Sequence, residues 1–395
     1  MTKLRAAIVG GGLGGLTAAN ALHQRGIDTV LFEQAVAFRE IGAGVLLSPN
    51  SLRHLERLGF GGPLAGCAAQ ITGGQHYYRM DGTPVPAPQI GSHSSRTPCG
   101  VHRADLLEMM AASLPEGGAR LGHRCIGYEP RGSRVHLAFD NGVTAEADIV
   151  IAADGIHSRL QRYVVPPKKP VHSGVKAYRG LVPRQAVPGW PGDRFQLWMG
   201  DHKHFVAFPV RGGDLINYVA FVPSKTDTEE SWSAPGDSDE LRGAFEGWDP
   251  RVVQLLQRVD SCFWWGLYDR EPLERWVEKR LTLLGDAAHP MLPHLGQGAN
   301  QAVEDAVALA VFLEGSCAQN APDALLRYES LRRERTTIVQ RMARENGRMF
   351  DTVDRNLVQR DQALTNSGDF RRWLYDYDVA EAAISYLRHV DVGSA

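Results

Sequence analysis

The stretch Leu4-Arg5-Ala6-Ala7-Ile8-Val9-Gly10-Gly11-Gly12-Leu13-Gly14-Gly15 decides the fold, because a short apolar run leads directly into a glycine cluster. Gly10, Gly12 and Gly15 have the G-x-G-x-x-G spacing of a dinucleotide-binding turn. Gly10 allows the tight turn, Gly12 lets the backbone approach a pyrophosphate, and Gly15 lets the following helix pack close to the strand. The N–H groups and the dipole at the start of that helix would then hold the phosphates.

The residues that follow complete a strand–helix–strand unit. Apolar residues at helical spacing predict a helix over Leu13 to Arg25, ended by Gly26, and Thr29 to Phe32 is a candidate second strand. Glu33 closes this strand at the position where a carboxylate binds ribose hydroxyls. An acid there prefers an adenosine ribose without a 2′-phosphate, which favours FAD or NAD over NADP.

The composition is that of a globular protein without a strongly charged partner surface. The 395 residues carry 43 Lys and Arg against 45 Asp and Glu, a net charge of −2. This balance lacks the basic footprint of a protein that binds nucleic acid or an anionic membrane. The sequence has no run of about 18 apolar residues and no signal-peptide core, so we expect a cytoplasmic protein without a membrane span. Five cysteines at irregular gaps favour buried thiols over a zinc or disulfide framework.

The middle of the chain has the pattern of antiparallel sheets. Runs rich in β-branched and aromatic residues cover Phe195 to Met199, Phe205 to Val210 and Leu215 to Val222. Val135 to Phe139 and Val143 to Ala145 flank Asp140-Asn141-Gly142 as a hairpin. We predict an α/β fold, in which a Rossmann-like domain holds an inserted antiparallel β-sheet substrate domain and is followed by C-terminal helices.

The remaining segments are predicted from local pattern. Asp148 to Ala152 and Leu281 to Leu284 are candidate buried strands, and Ala299 to Leu313 is a candidate helix. Lys225 to Glu240 is polar and is expected to be a solvated loop. Pro322 to about Ala363 is charged and helical, and its balanced charges favour a face exposed to solvent.

Three later motifs place polar groups at the ends of strands and helices. Arg103, in Val101-His102-Arg103-Ala104-Asp105-Leu106, stands near a helix start, where a guanidinium can pair with a pyrophosphate. Asp154 follows an apolar strand at the carboxyl edge of a sheet. Asp286, in Leu283-Leu284-Gly285-Asp286-Ala287-Ala288-His289-Pro290, could accept hydrogen bonds from ribityl hydroxyls. Gly296 and Gly298 open a helix whose positive end would stabilise a reduced flavin.

In their order along the chain, these motifs resemble those of the single-component FAD-dependent aromatic hydroxylases of the 4-hydroxybenzoate hydroxylase type. The resemblance covers about Ala6 to Leu313. The segments His204 to Arg211 and Pro293-His294-Leu295-Gly296-Gln297-Gly298 are most similar to the salicylate, 3-hydroxybenzoate and 6-hydroxynicotinate hydroxylases. The implied domains are FAD-binding segments at 1–70, 98–165 and 269–320, substrate-domain segments at 71–97 and 166–268, and a C-terminal helical region at 321–395.

The resemblance implies a monooxygenase with tightly bound, non-covalent FAD. NADH or NADPH would reduce the flavin, O2 would form a C4a-hydroperoxyflavin, and its distal oxygen would hydroxylate a phenolic aromatic acid with or without loss of CO2. No second strand–G-x-G-x-x-G–helix unit is present in the sequence, so the nicotinamide would bind transiently over the flavin. The expected partner is a small aromatic acid, with neither nucleic acid nor membrane, and the expected state is a monomer or homodimer.

The resemblance also assigns residues. It implies His204 as the base that ionises the substrate hydroxyl and His294 as a second pocket group, with no metal. The substrate-pocket candidates are Leu46, Val206, Phe208 and Pro293. The cofactor-binding candidates are Gly10, Gly12, Leu13, Gly14, Gly15, Glu33, Gln34, Gly44, Val45, Arg103, Ile126, Asp154, Asp286, Gly296, Gly298, Ala299 and Asn300.

Two departures from the family bear on the substrate. Leu46 stands where members acting on pyridine acids carry a His, and Phe208 stands where 3-hydroxybenzoate hydroxylases carry a Tyr. Both make the pocket more apolar, which favours a benzenoid ring such as salicylate or a relative. A substrate carboxylate needs a donor, and the sequence leaves Arg79, Arg96 and Arg184 open as candidates.

Other interpretations remain at this stage. Alternation along a strand would put His202 and His204 on one face with Val206 and Phe208, and such a His-x-His pair could bind a metal. The functional alternatives are a hydroxylase of a hydroxypyridine acid such as 6-hydroxynicotinate, a flavin reductase without oxygen insertion, and a non-enzymatic FAD-binding protein.

Overall fold

The structure, a computed structural model, describes residues 3–38, 44–86, 96–200, 202–224, 234–352 and 357–392. It is a mixed α/β fold, as predicted, in which two larger sheets and a group of C-terminal helices enclose the candidate site.

The strands have the following bounds: β1 Arg5–Val9, β2 Asp28–Phe32, β3 Gly44–Leu47, β4 Ala69–Gln70, β5 Gln75–Arg79, β6 Pro84–Val85, β7 Cys99–His102, β8 Ala119–Arg120, β9 Cys125–Arg131, β10 Arg134–Phe139, β11 Thr144–Ala147, β12 Ile149–Ala152, β13 Val171–Pro183, β14 Phe195–Gly200, β15 Lys203–Val210, β16 Leu215–Pro223, β17 Ala234–Gly236, β18 Cys262–Asp269, β19 Val277–Glu278 and β20 Leu281–Leu283.

The α-helices have the following bounds: α1 Leu13–Gln24, α2 Pro49–Arg57, α3 Gly61–Cys67, α4 Arg103–Ala112, α5 Ser238–Ala244, α6 Pro250–Leu256, α7 Gly298–Leu313, α8 Ala321–Phe350, α9 Leu357–Thr365, α10 Gly368–Tyr375 and α11 Val379–Val392. Within the described ranges, none of these helices is long and apolar enough to cross a bilayer.

The first large sheet contains the strand–helix–strand unit expected from the glycine cluster. Its strand order is β19-β20-β12-β1-β2-β8, and β1 pairs in parallel with both β2 and β12. Parallel strands bring their carboxyl ends to the same edge of a sheet. Gly10, Glu33 and Asp154, which follow β1, β2 and β12, therefore lie along one edge.

The second large sheet contains the three strands predicted in the middle of the chain. Its order is β17-β18-β13-β16-β15-β14-β5-β6, and β14, β15 and β16 pair antiparallel. The hairpin of β10 and β11 is also confirmed, in a separate sheet with β9. The division of the chain into six domain segments stays a prediction.

The prediction of a solvated charged helix over Pro322 to Ala363 is wrong for part of that range. Arg332 and Arg335 of α8 are buried, because they pair with Glu304 and Asp305 of α7. The shortest contacts are 2.6 Å from Arg332 Nη1 to Glu304 Oε2 and 2.8 Å from Arg332 Nε to Asp305 Oδ1. The matching charges lie on a neighbouring helix, so the charge balance along α8 alone does not reveal their burial. Residues 353–356 of the predicted range lie outside the described residues.

The prediction of a loop over Lys225 to Glu240 is wrong at its end. Ala234–Gly236 pairs with β18, and α5 begins at Ser238. Asp237 caps this helix by accepting hydrogen bonds from the backbone N–H groups of Asp239 and Glu240. The polar residues are therefore a helix cap and first turn, while residues 225–233 lie outside the described residues.

Candidate active site

The geometry of the glycine-rich turn fits a bound pyrophosphate. Gly10 has a φ of 110°, and a Cβ there would overlap the carbonyl group of Ala153. A Cβ on Gly15 would overlap the carbonyl oxygen of Gly10, so α1 packs directly on the turn. Beside Gly12 no heavy atom lies within 4 Å of a Cβ position, which leaves room for a phosphate at the helix start.

Glu33 is held beside this turn in a position that suits a ribose. Its Oε2 accepts a hydrogen bond from the N–H of Gly11 at 2.5 Å, and its Oε1 accepts one from the N–H of Ala35 at 2.8 Å. The carboxylate is thus fixed at the end of β2, and Gln34 follows it on the exposed surface. The arrangement fits the predicted grip on ribose hydroxyls.

The predicted flavin-side residues gather at a second edge of the site. Arg103 begins α4, Asp286 follows β20, and both line the main cavity with Gly296, Gly298 and Ala299. Burial raises the pKa of Asp286. Because α7 begins at Gly298, the positive end of a long helix faces this part of the cavity, as a flavin edge that becomes anionic requires.

Three residues predicted to bind the cofactor either bind other protein groups or lie on the exposed surface. Asp154 accepts hydrogen bonds from Ser158 Oγ at 2.6 Å and from the Arg159 N–H at 2.8 Å, so it fixes the turn after β12. Ile126 is 42% exposed on β9. The Asn300 side chain ties α7 to the segment before α2, with bonds to Leu46, Ser48, Ser51 and Gly296.

A cavity of about 540 Å³ lies between the flavin-side residues and one face of the second sheet. The four predicted pocket residues, Leu46, Val206, Phe208 and Pro293, all line it, as do Gly44 and Val45. Gly44 is anchored there by its N–H, which donates to Asn217 Oδ1 at 2.7 Å. The wall is mostly apolar, so it excludes water from a bound ring.

His204 is fully buried in the wall of this cavity and has a defined partner at each ring nitrogen. Its Nδ1 lies 2.6 Å from Asp351 Oδ1, and its Nε2 lies 3.1 Å from His294 Nδ1. Its ring stacks on Phe221, with the ring centroids 4.0 Å apart at 15°. The two predicted histidines are therefore in direct contact, and Asp351 extends them to a chain of three groups.

These partners assign the protons of the histidine pair. A carboxylate only accepts, so Nδ1 of His204 carries the proton and Nε2 of the neutral ring is the basic nitrogen. His294 Nδ1 then donates to that nitrogen. Burial lowers the pKa of His294 well below its usual range, and positive charge on His204 would lower it further. His294 is thus neutral, and His204 is the ring placed to become charged beside Asp351.

His202 does not share the face of His204, Val206 and Phe208. It has a left-handed backbone with φ 58° and precedes β15, which begins at Lys203. Its side chain lines a second cavity, of about 750 Å³, rather than the first. Among the described residues, no group of three His, Cys, Asp or Glu side chains could hold a metal ion. The geometry therefore gives no support to a His202–His204 metal pair.

The three arginines considered for a substrate carboxylate all lie outside the cavity wall. Arg79 pairs with Asp361 at 2.8 Å, and Arg96 pairs with Glu56 at 2.7 Å. Arg184 donates from Nε to the carbonyl oxygen of Gly213 at 2.8 Å. The arginines that line the cavity are Arg103 on the flavin side, Arg179 of β13, and Arg371 of α10 at the end that the C-terminal helices enclose.

Sequence reasoning missed two groups of the site, Asp351 and Arg371. Both belong to the C-terminal helical region, which the motif resemblance reached only loosely. No local pattern around either residue distinguishes it from the many charged residues on those helices, because its contact with the site arises only when the helices pack against the second sheet. His294 marks the boundary of the site, since it lines both the first and the second cavity.

Comparison with known proteins decides the family. The family model described as "FAD binding domain" matches residues 3–346. This chain belongs to that family. The match spans all four motifs and both histidines, and FAD is accordingly the cofactor of this chain.

Similar proteins narrow the reaction class. A 3-amino-4-hydroxybenzoate 2-monooxygenase from Streptomyces platensis is 36% identical over 389 residues, covering 95% of this chain and 96% of that protein. A 6-hydroxynicotinate 3-monooxygenase from Bordetella bronchiseptica is 36% identical over 354 residues, covering 87% and 91%. The solved structure of a salicylate hydroxylase substrate complex superposes with a TM-score of 0.84 at 29% identity, covering 97% and 98%. The chain is an FAD-dependent aromatic hydroxylase of the monooxygenase type.

Proposed function

We propose that this enzyme hydroxylates the ring of a phenolic aromatic acid, with NADH or NADPH as the reductant and O2 as the oxygen source. The observation that carries this proposal is the buried His204, held between Asp351 and His294 in a cavity whose other side is formed by the flavin-side residues. A base of this kind beside an apolar pocket suits a phenol, which reacts far better as its phenolate.

The proposal includes candidate residues for each part of FAD. Gly10 to Gly15 and Glu33 would hold the pyrophosphate and adenosine ribose, and Arg103, Asp286 and the start of α7 would hold the flavin side. When bound, FAD accepts electrons from the reduced nicotinamide and activates O2 as an oxygen donor.

The base step follows from the assigned protons. The substrate O–H bond breaks, and its proton goes to Nε2 of His204, which gives a phenolate and an imidazolium. Asp351 accepts the hydrogen bond from Nδ1, 2.6 Å away, and so stabilises that charge. The incoming hydroxyl replaces His294 as the hydrogen-bond donor to Nε2 of His204. Leu46, Val206 and Phe208 keep water from the reacting ring.

The pocket favours a benzenoid ring over a pyridine ring. Leu46 and Phe208 both line the cavity, and neither offers a polar atom to a ring nitrogen. Relatives are named for both kinds of substrate, an aminohydroxybenzoate and a hydroxynicotinate. A hydroxypyridine acid is therefore the alternative substrate, and reduction without oxygen insertion is the alternative reaction.

The test is oxidation of NADH and NADPH by the purified FAD-loaded enzyme, scanned against these acids. The panel contains 3-amino-4-hydroxybenzoate, the three hydroxybenzoate isomers and 6-hydroxynicotinate, and each product is identified by mass. We expect one hydroxybenzoate to stimulate oxidation and to gain one oxygen. Stimulation by 6-hydroxynicotinate alone would favour the pyridine alternative, and substrate reduction that persists without O2 would favour a reductase.

We also propose a cytoplasmic enzyme that acts as a monomer or homodimer and has no nucleic-acid partner. The near-neutral charge of the sequence supports the absence of a nucleic-acid partner. Gel filtration and fractionation of the producing cells would test it.

A further inference from the structure

Arg371 stands at the end of the cavity that the C-terminal helices enclose. It belongs to α10 and is held in place by three neutral groups. Nε donates to Ser367 Oγ at 3.1 Å, one terminal nitrogen donates to Gln75 Oε1 at 2.7 Å, and the other donates to Tyr77 Oη at 2.5 Å. The guanidinium is thus fixed from all three nitrogens and does not swing freely.

The geometry leaves two donors for a ligand. A guanidinium has five N–H groups, one on Nε and two on each terminal nitrogen. The three bonds use one N–H at each nitrogen, so one N–H remains on each terminal nitrogen. Gln75 Oε1 and Tyr77 Oη lie 3.1 Å apart, so they occupy the parallel pair of N–H groups. The two N–H groups that remain point in different directions, and either can donate a charge-assisted hydrogen bond to one oxygen of an anionic ligand.

The charge of Arg371 points to the same class of ligand. Among the described residues no carboxylate pairs with it, and its three hydrogen-bond partners are an amide, a phenol and a hydroxyl. The surrounding wall is largely apolar and includes Leu364, Phe370 and Leu374. A cation there is costly without a counter-charge, which an anionic ligand would provide.

The register of the second sheet sets the distance between this cation and the base. His204 of β15 stands opposite Met199 of β14, and Met199 stands opposite Arg79 of β5. Tyr77, which holds Arg371, lies two residues from Arg79 on the same face. Neighbouring strands are ~4.8 Å apart, so His204 and the strand of Tyr77 are separated by roughly 10 Å. The base and the cation therefore serve different ends of a ligand.

We infer that the substrate carries its carboxylate meta or para to the reacting hydroxyl, with the carboxylate bound by Arg371 and the hydroxyl at His204. An ortho hydroxyl lies next to its own carboxylate, so both groups would compete for one end of the cavity. The inference rests on the proposed function, in which His204 is the base. The inference goes further than the proposed function because it states which hydroxybenzoate isomers the enzyme binds.

The experiment measures binding to the FAD-loaded enzyme by equilibrium dialysis, with turnover and product mass measured separately. The ligands are 2-, 3- and 4-hydroxybenzoate and methyl 4-hydroxybenzoate, which keeps the ring and hydroxyl but loses the negative charge. The variants are Arg371→Met and, as the matched control, Arg372→Met on the exposed side of the same helix.

We expect wild type to bind the 3- or 4-isomer at least ten-fold more tightly than the 2-isomer and the ester. Arg371→Met should weaken binding of the acid by roughly 10- to 100-fold, the value of a charge-assisted hydrogen-bonded pair, and leave the ester unchanged. Arg372→Met should match wild type. If Arg371→Met does not fold, the comparison of isomers and ester on wild type still decides.

Tighter binding of 2-hydroxybenzoate, or unchanged binding of the acid to Arg371→Met, would overturn the inference. The proposed function fails separately, when an acid binds as expected but no oxygenated product forms.

Discussion

The carboxylate of Asp351 accepts a hydrogen bond from the imidazole of His204, with Oδ1 2.6 Å from Nδ1. The two residues are 147 positions apart in the chain and meet because the end of α8 packs beside β15. This contact fixes the tautomer of a fully buried histidine, so that the nitrogen facing His294 and the cavity is the basic one.

Asp351→Asn should disable the base while leaving the fold and the flavin in place. The amide can donate to Nδ1, which would move the ring proton to Nε2 and remove the acceptor for the substrate hydroxyl. We expect kcat at neutral pH to fall roughly 10²- to 10⁴-fold. The deficit should shrink as the pH approaches the phenol pKa of about 10, where the substrate ionises unaided.

The pH profile of kcat distinguishes this role from packing. Asp323→Asn makes the same change at an exposed position in the first turn of α8, the helix that Asp351 follows, and should behave as wild type. A loss that is equal at every pH, or no loss at all, would show that Asp351 does not act through His204.

Gly347→Ala should displace His294 without altering any charge. Gly347 lies in the last turn of α8, and a Cβ there would be 2.5 Å from Cδ2 of the His294 ring. Alanine suits a helix better than glycine, so the helix itself should not be weakened. We expect kcat to fall roughly 10- to 100-fold while the flavin absorbance is retained. Gly243→Ala, in a helix with no atom near its Cβ position, is the control; equal kcat in both variants would contradict the importance of the His294 contact.

Gly15→Ala should cost the enzyme its FAD. The new methyl group would overlap the carbonyl oxygen of Gly10, so the helix start must move away from the turn that receives the pyrophosphate. Overpacking of this kind costs about 1–3 kcal/mol, and the purified variant should lack the yellow colour of wild type. Gly62→Ala has open space at its Cβ position and should keep both FAD and stability. Normal FAD content in Gly15→Ala would show that the close approach is dispensable.

Glu304→Gln should destabilise the helical layer behind the site. Both Arg332 and Arg335 would lose a buried counter-charge, and breaking such a pair costs about 3–5 kcal/mol of the free energy of unfolding. Burial alone would raise the pKa of Glu304, but Arg335 and Arg332 lower it to about 2. Its ordinary pKa is higher, so its contribution is complete above about pH 4.5 and is lost as the pH falls toward 2.

Urea unfolding of both proteins at pH 7 and at pH 3 measures this effect. The difference in the free energy of unfolding between wild type and Glu304→Gln should be large at pH 7 and smaller at pH 3. If this difference is absent at pH 7, or is larger at pH 3, the ion pairs of Glu304 with Arg332 and Arg335 do not stabilise the protein as described.

The features of the fold and the site that could be predicted are those that depend on a local sequence pattern. The turn at Gly10 to Gly15 depends on glycines whose spacing is visible in one stretch, and β15 depends on alternation that places His204, Val206 and Phe208 on one face. The same alternation wrongly placed His202 on that face, because its left-handed backbone breaks the pattern before the strand begins.

The parts that could not be predicted depend on contacts between distant segments. Arg332 is buried only because Glu304 and Asp305 lie on a neighbouring helix. Asp351 and Arg371 enter the site only because helices from the last fifth of the chain pack against the second sheet. No periodicity within those helices encodes which charged residue faces the cavity.

The most direct test of the central claim is the product formed under oxygen-18 gas by wild type and by His204→Ala, with reduced nicotinamide and the acid that stimulates its oxidation. Base-assisted hydroxylation predicts one oxygen-18 atom in the wild-type product and, in the variant, a bound flavin that still oxidises the nicotinamide but forms little product. A product without the label, or full hydroxylation by His204→Ala at every pH, would contradict it.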